Sequence, residues 1–330
     1  MPKRLASLSL DLDNQWSYMK THGDAGWEAF PSYLDIVVPR ALEFLQQRNL
    51  KITFFVVGQD AALEKNHAAL RSLAEAGHEI GNHSFHHEPW LHLYSPDQIS
   101  EEFSNAEKTI ASATGAKPVG FRGPGFSFSD QVLQELVSRN YRYDASTFPT
   151  FLGPLARLYY FFTSNLSKAE RADRKQLFGK ISEGFRSLRP YRWQVNAGQL
   201  IEIPVTTMPI FKVPIHVSYL LYLAQYSKTL AITYWRMALT LCRITRVEPS
   251  LLLHPLDFMG YDDFADADKG SDLSFFPAMK SPTADKVALV GEVIDLLARH
   301  YHIVTMADHA QAIDHRLSGT VRAPETASAS

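Results

Sequence analysis

The chain has a single cysteine, Cys242, among 330 residues. No intrachain disulfide can form, so the fold must be held by packing. One cysteine set among apolar neighbours reads as a small buried hydrophobe. A charge excess of one sign is also missing: 33 basic against 35 acidic residues leave a formal −2. That removes the bulk attraction a nucleic-acid binder relies on, and no nucleic-acid partner is expected. The start, "MPKRLASLSLDLD", has two basic residues but no long apolar stretch. No cleaved leader is read there, and the simplest location is cytoplasmic. A bilayer span needs ~20 mainly apolar residues. The apolar stretch 210–245 is a poor candidate, because Gln225, Lys228 and Arg236 interrupt it.

What the chain does have is 45% hydrophobic residues, enough for a large core in one domain or one domain with insertions. Strand-like runs alternate with helical ones. "RLASLSLDLD" alternates apolar and polar residues, and "KITFFVVG" is β-branched and aromatic. Helical spacing follows in "SYLDIVVPRALEFLQQRNL" and "NHAALRSLAEAG". Ser95, Pro96 and Asp97 open another helix, which Gly115 stops. "PVGFRGPG", "YRYDAS", "QLIEIPV", "EPSLLLHPLDF" and "YHIVTM" are later strands. The alternation predicts an α/β fold with a parallel sheet or barrel. Polar residues recur at the C-terminal strand ends: Asp11, Asp13, His83, Arg122, Asp144 and His254. In α/β barrels, chemistry gathers at that end.

The densest cluster is "GNHSFHHEPWLH". If the chain makes a helical turn there, His83 and His87 share one face, four residues apart, and His86 points away. Two imidazoles suit zinc, cobalt, nickel or iron better than magnesium or calcium. A third ligand is needed, and "DLD" offers Asp11 and Asp13 on one side of a strand. One carboxylate can bind the metal while the other stays free as a base.

Together, "SLSLDLD", "HSFHH", "FRGPG", "YDAS" and "LLLHP" resemble the motif series of the polysaccharide deacetylases. That family is also called the NodB-homology group or carbohydrate esterase family 4. The resemblance covers residues 5–150 and, more loosely, 198–310. It implies a distorted (β/α) barrel of seven or eight strands with helical insertions. It implies a divalent metal, zinc first and cobalt or nickel next, held by Asp13, His83 and His87. Asp11 is similar to the family's catalytic base and Arg122 to the arginine that aims it. Gly125 stands where a backbone N–H donates to the oxyanion. His254 resembles the general acid, and Asp144 the acid that tunes it. Leu12 separates aspartates that are usually adjacent, so the roles of Asp11 and Asp13 are exchangeable.

The implied reaction is metal-dependent removal of an N-acyl group, acetyl first, from a sugar carried on a lipid or nucleotide. The alternatives are an amidase or deformylase on another C–N substrate, or a non-catalytic carbohydrate- or lipid-binding relative. One barrel domain is expected over 1–315, with a disordered tail at 316–330. Aromatic and basic insertions at about 150–200 and 210–245 either pack as ordinary helices or offer a membrane interface. The second reading would place the protein at the inner face of a membrane.

Overall fold

The computed structural model describes residues 3–153, 181–196, 198–264, 276 and 278–318. Its centre is β1 (Arg4–Asp11), which pairs in parallel with β2 (Thr53–Val56), β8 (Ser250–Leu253) and β9 (Tyr301–Val304). From β2 the sheet continues through β3 (Glu79–Asn82), β4 (Gly120–Phe121) and β5 (Tyr143–Asp144) to β7 (Gly198–Glu202). These pairings are also parallel. Only the outer pair, β6 (Tyr191–Val195) with β7, is antiparallel among the described strands.

Among the described residues the sheet therefore has nine strands rather than the expected seven or eight. One physical reason is local. The end of the expected 150–200 insertion folds back across Gly198 as a hairpin and joins the sheet as β6. Residues 154–180 of that insertion lie outside the described residues. Strand pairing does not close the sheet among the described residues. The run after β7 nevertheless reaches β8: Thr206 N–H donates to the Ser250 carbonyl at 3.0 Å, and Ser250 N–H donates to Thr206 Oγ1 at 2.8 Å. These bonds tie the far side of the sheet to its start.

Helices α1 (Gln15–His22), α2 (Leu34–Gln47), α3 (Gly58–Ala61) and α4 (His67–Glu75) alternate with the first three strands. Next come α5 (Pro96–Thr114) and α6 (Asp130–Ser138). Helix α5 begins as its sequence suggests. Ser95 Oγ accepts from Gln98 N–H while Gln98 Oε1 accepts from Ser95 N–H, a reciprocal cap. Gly115 ends it at φ 75°.

The stretch 210–245 forms α7 (Val217–Ala224) and α8 (Lys228–Thr245). Their inner faces bury Val217, Leu220, Leu221, Trp235, Leu239 and Cys242 in the main core. Trp235 Nε1 donates to the Val293 carbonyl of α9 (Thr283–His300) at 2.9 Å. Burial pushes the Cys242 thiol up to about 12, so it stays neutral, a small apolar filler. No described helix is long and apolar enough to cross a membrane. The last helix, α10 (Met306–Ser318), takes the first three residues of the expected tail. The rest of that tail lies outside the described residues.

The period-2 pattern of β1 decides what its two faces do. Leu8, Leu10 and Leu12 enter the main core beneath the helices. Ser7, Ser9, Asp11 and Asp13 alternate with them, and all four are buried. Phe55, Tyr143, Ile201 and Ile203 meet Met306, Ala310 and Ile313 of α10 in a separate cluster. Asp11 thus ends a strand with polar neighbours on its own face and leucines behind it.

Candidate metal and acid–base site

The sequence-predicted residues of β1, β3 and β4 converge. One ligand atom each from Asp13, His83 and His87 lies within 4.8 Å of the others. Asp13 Oδ1 stands 2.9 Å from His87 Nε2 and 3.3 Å from His83 Nε2.

The loop that brings the histidines together is not a helical turn. Residues 83–87 form an irregular bend, with Ser84 at φ 63° and His87 at φ 55°. Two residues in the left-handed region are costly outside glycine, so something must hold them. Glu102 of α5 does. Its Oε1 accepts from the Phe85 and His86 N–H groups at 2.9 and 2.7 Å, and its Oε2 meets His86 Nδ1 at 2.7 Å. Ser84 Oγ also accepts from His87 N–H at 3.2 Å. His86 is turned away from the ligands, as expected, but its contact with Glu102 and not a helical turn puts it there.

His83 is oriented from behind. Its Nδ1 lies 2.6 Å from the Arg122 carbonyl, which can only accept, so Nδ1 carries the proton. In the neutral ring, Nε2 then presents its lone pair to Asp13 and His87. Burial alone would raise the Asp13 carboxyl. The His87 and His83 imidazoles outweigh it and hold that carboxyl well below the usual carboxylate range. Burial would lower His83, but Asp11 and Asp13 beside it raise it above the ordinary imidazole value.

The donor set can be tested for a metal on its own contacts. Asp13 Oδ1 and both ring nitrogens of His87 are buried, yet none has a hydrogen-bond partner. Buried polar atoms are rarely left unmatched. His87 Nε2 and Asp13 Oδ1, both unsatisfied, converge with His83 Nε2, and this set of two imidazole nitrogens and one carboxylate oxygen fits a divalent metal of the zinc type.

Asp11 lies beside this cluster, with Oδ2 4.0 Å from His83 Nε2. Its Oδ1 accepts from Arg122 Nη1 at 2.6 Å. Arg122 is fully buried and anchored twice more, Nη1 to Ser9 Oγ at 2.8 Å and Nε to the Ala145 carbonyl at 3.0 Å. Its guanidinium lies 4.4 Å over the Phe55 ring. Phe55 in turn needs glycine beneath it: a β-carbon on Gly81 would stand 2.5 Å from its ring. Gly125 sits in the loop after β4 at φ 58°, where a β-carbon would approach Pro89 to 3.0 Å. That packs its loop against the segment following His87.

His254 ends β8, and its surroundings come from elsewhere. Its Nδ1 meets Ser218 Oγ of α7 at 3.0 Å, and its N–H donates to Asp257 Oδ2 at 2.8 Å. Burial raises the fully buried Asp257 carboxyl, and His254 and Ser218 beside it offset part of that rise. Asp144 does not join this group. No hydrogen bond or ion pair links it to His254 among the described residues. Asp144 instead accepts from Ser146 Oγ at 2.5 Å and faces Glu202, its register partner on β7. Burial raises Asp144; burial and then the Asp144 charge raise Glu202 much further. The two adjacent carboxyls therefore hold a proton between them.

Sequence reading passes over Ser218, Tyr18 and Glu202 and leaves Asp257 unassigned. Only Asp257 carries a local signal: "HPLD" is a helix-start pattern, and Asp257 does cap the backbone of His254. The Tyr18 hydroxyl is buried without a hydrogen-bond partner. Burial, with Asp13 and Asp257 nearby, pushes it well above the ordinary phenol range. Tyr18 thus lies between the two halves of the site. Trp16 is a packing residue, almost wholly buried, with Nε1 donating to Asp60 at 2.9 Å.

Known proteins match this arrangement unevenly along the chain. Residues 24–143 match the family model for polysaccharide deacetylase. That span holds His83, His87, Arg122 and Gly125 but not Asp11, Asp13 or His254. The peptidoglycan-N-acetylglucosamine deacetylase PgdA of Listeria monocytogenes is 31% identical over 100 residues, 30% of this chain and 21% of its own length. The peptidoglycan-N-acetylmuramic acid deacetylase PdaA of Bacillus subtilis is 32% identical over 105 residues, 32% of this chain and 39% of its own. The chain thus spans well under half the length of these curated relatives. A solved structure from Mycobacterium smegmatis, assigned to the polysaccharide deacetylases, matches 99% of this chain and 96% of its own. Its TM-score is 0.63 at 21% identity, a likeness of fold. Over residues 24–143, the chain is thus similar in sequence to the polysaccharide deacetylases.

Proposed function

We infer that the protein is a metal-dependent deacylase that removes an N-acyl group, most simply acetyl, from a sugar. The observation that carries this reading is the meeting of Asp13, His83 and His87 within 4.8 Å, beside the buried Asp11–Arg122 pair. Asp13, His83 and His87 would hold the metal, zinc by donor set. When bound, it supplies Lewis acidity toward water and the acyl carbonyl.

The remaining chemistry belongs to the protein. Asp11 takes the proton of the attacking water, and Arg122 keeps Asp11 aimed. The Gly125 N–H donates to the oxygen of the tetrahedral adduct. The leaving amine needs a proton, and His254 provides it. Ser218 and Asp257 orient His254, a task their contacts suit better than those of Asp144.

The carrier of the sugar is the finer part of the reading. Leu230, Met237 and Ile244 are exposed at seven-residue intervals along α8 and so share one face. Exposed Lys228, Arg236 and Arg243 accompany them. That face supports contact with a membrane surface and a lipid-linked sugar.

The test is release of acetate or formate from N-acylated sugars after chelation and after adding zinc or cobalt. Turnover should vanish and return. His83→Ala should lose bound metal and at least about a hundredfold in turnover, the scale at which metal-site partners matter. Full activity and metal content in His83→Ala would overturn the reading. Hydrolysis confined to simple amides would move it to an amidase.

A further inference from the structure

We propose that α7 and the turn after it carry a ladder of tyrosines that binds the sugar rings next to the one being deacylated. The substrate would then be an oligosaccharide rather than a single sugar. The inference rests on the sugar-deacylase reading but not on a lipid carrier.

The ladder starts at the candidate acid. The His254 ring centroid lies 6.1 Å from that of His216, which precedes α7. His216 in turn lies 6.3 Å from Tyr219. Tyr219 and Tyr222 are nearly parallel, 28° apart with centroids at 6.2 Å, and Tyr226 follows at 5.5 Å. Tyr219 and Tyr222 share one face of α7, and Tyr226 in the turn that follows continues the row. Ser218, one residue before Tyr219, is the side chain that meets His254 Nδ1. One helix therefore holds the acid and presents the rings.

Exposure rises along the ladder. Tyr219 is half-buried, Tyr222 is 40% exposed and Tyr226 is 72% exposed. A core-packing row would be covered, whereas this one climbs from the site to solvent. On the other side of His216, Phe148 at 6.0 Å stacks on Phe126 at 4.7 Å, beside Gly125. The ring row thus passes the acid and reaches the loop of the candidate oxyanion donor.

The chemistry favours sugar over acyl chain. Each tyrosine offers an apolar face with a polar tip, which suits a pyranose that has C–H faces and a hydroxyl rim. The Tyr222 and Tyr226 hydroxyls share a hydrogen bond at 3.2 Å, which holds the two tips side by side. A lipid face would be better served by the leucine, methionine and isoleucine that α8 exposes elsewhere.

The experiment compares N-acetylglucosamine with its β-1,4-linked tetramer, using zinc-loaded full-length protein. The wild type should show a kcat/KM for the tetramer at least tenfold above that for the monomer. Y222A/Y226A should lose most of that gain through KM, with kcat on the tetramer within about twofold. Y222F/Y226F should keep it, because the rings remain. Equal kcat/KM for the two substrates in the wild type would overturn the ladder. So would an alanine double variant that keeps the length gain but loses binding to anionic vesicles, because the face would then be a lipid contact. If the wild type hydrolyses neither sugar, the deacylase reading fails by itself. The ladder is then judged by calorimetric binding of the tetramer, where the alanine double variant should be about tenfold weaker and equal affinity would reject it.

Discussion

The two halves of the site are built by different means. The metal half stands on the ends of β1, β3 and β4, and several of its groups are fixed through backbone atoms. His83 is tethered to a carbonyl of β4's end, Arg122 to the Ala145 carbonyl, and the His87 loop to Glu102 through its N–H groups. The acid half stands on one strand end and a helix. His254 depends on a serine from α7, more than thirty residues away in sequence, and on a carboxylate three residues ahead. Backbone tethers make a rigid ligand set with little tolerance. Side-chain tethers make an acid whose setting can change without rebuilding the sheet. The family match covers the histidine and arginine segments of the first half but neither its aspartates nor the acid.

That contrast can be broken first at Arg122. Arg122→Met leaves Asp11 buried without its counter-charge, which should cost about 3–5 kcal/mol of stability and nearly all turnover. Urea denaturation and acetate release would check this. A variant that unfolds normally and retains activity would show that the metal half is less rigid than its contacts imply.

Ser218→Ala probes the other half and should be milder. We expect about a tenfold fall in kcat with KM within twofold, a displaced alkaline limb in the pH–rate profile, and unchanged metal content. Asp144→Asn, measured beside it, should leave that limb in place, because Asp144 faces Glu202 and not His254. A shift in Asp144→Asn and none in Ser218→Ala would return the tuning role to Asp144.

The smallest effect lies beneath the metal half. Asp60 is buried, accepts from Asn14 and Trp16, and is raised to about 7, chiefly by burial. Its ordinary value is near 4, so between pH 4 and 7 the folded state binds more protons than the unfolded one. Stability should therefore fall as pH rises through that window and level off above it. The three-unit gap sets a ceiling of about 4 kcal/mol. Asp60→Asn, denatured in urea with chelator present, should flatten the slope between pH 4 and 7. An unchanged slope would assign the pH dependence elsewhere.

How much of this was legible in the sequence follows the same line. The strand ends were, because period-2 alternation in "SLSLDLD" puts the acids on one face and the leucines on the other. The histidine pair was legible by spacing, although for a partly wrong reason. Convergence comes from two left-handed residues clamped by Glu102, and nothing in "HSFHH" announces that clamp. β6 was hidden because half-exposed "YRWQV" lacks a buried strand's apolar run, and it becomes a strand only by pairing with β7. Ser218 was hidden for a stronger reason. A serine in an apolar helix has no distinguishing pattern until folding brings it to His254.

Arg122 has a consequence for how this site would be read by mutagenesis. Its side chain holds Asp11, while its own carbonyl accepts a hydrogen bond from His83 Nδ1–H. One α-carbon therefore indexes both the proposed base and a proposed metal ligand to the same point on the sheet. A scan of substitutions samples only the first function, because every replacement brings a carbonyl of its own. The second is reached only by altering the backbone or the donor on His83. A ranking of residues by mutational damage would give Arg122 credit for half of what it holds.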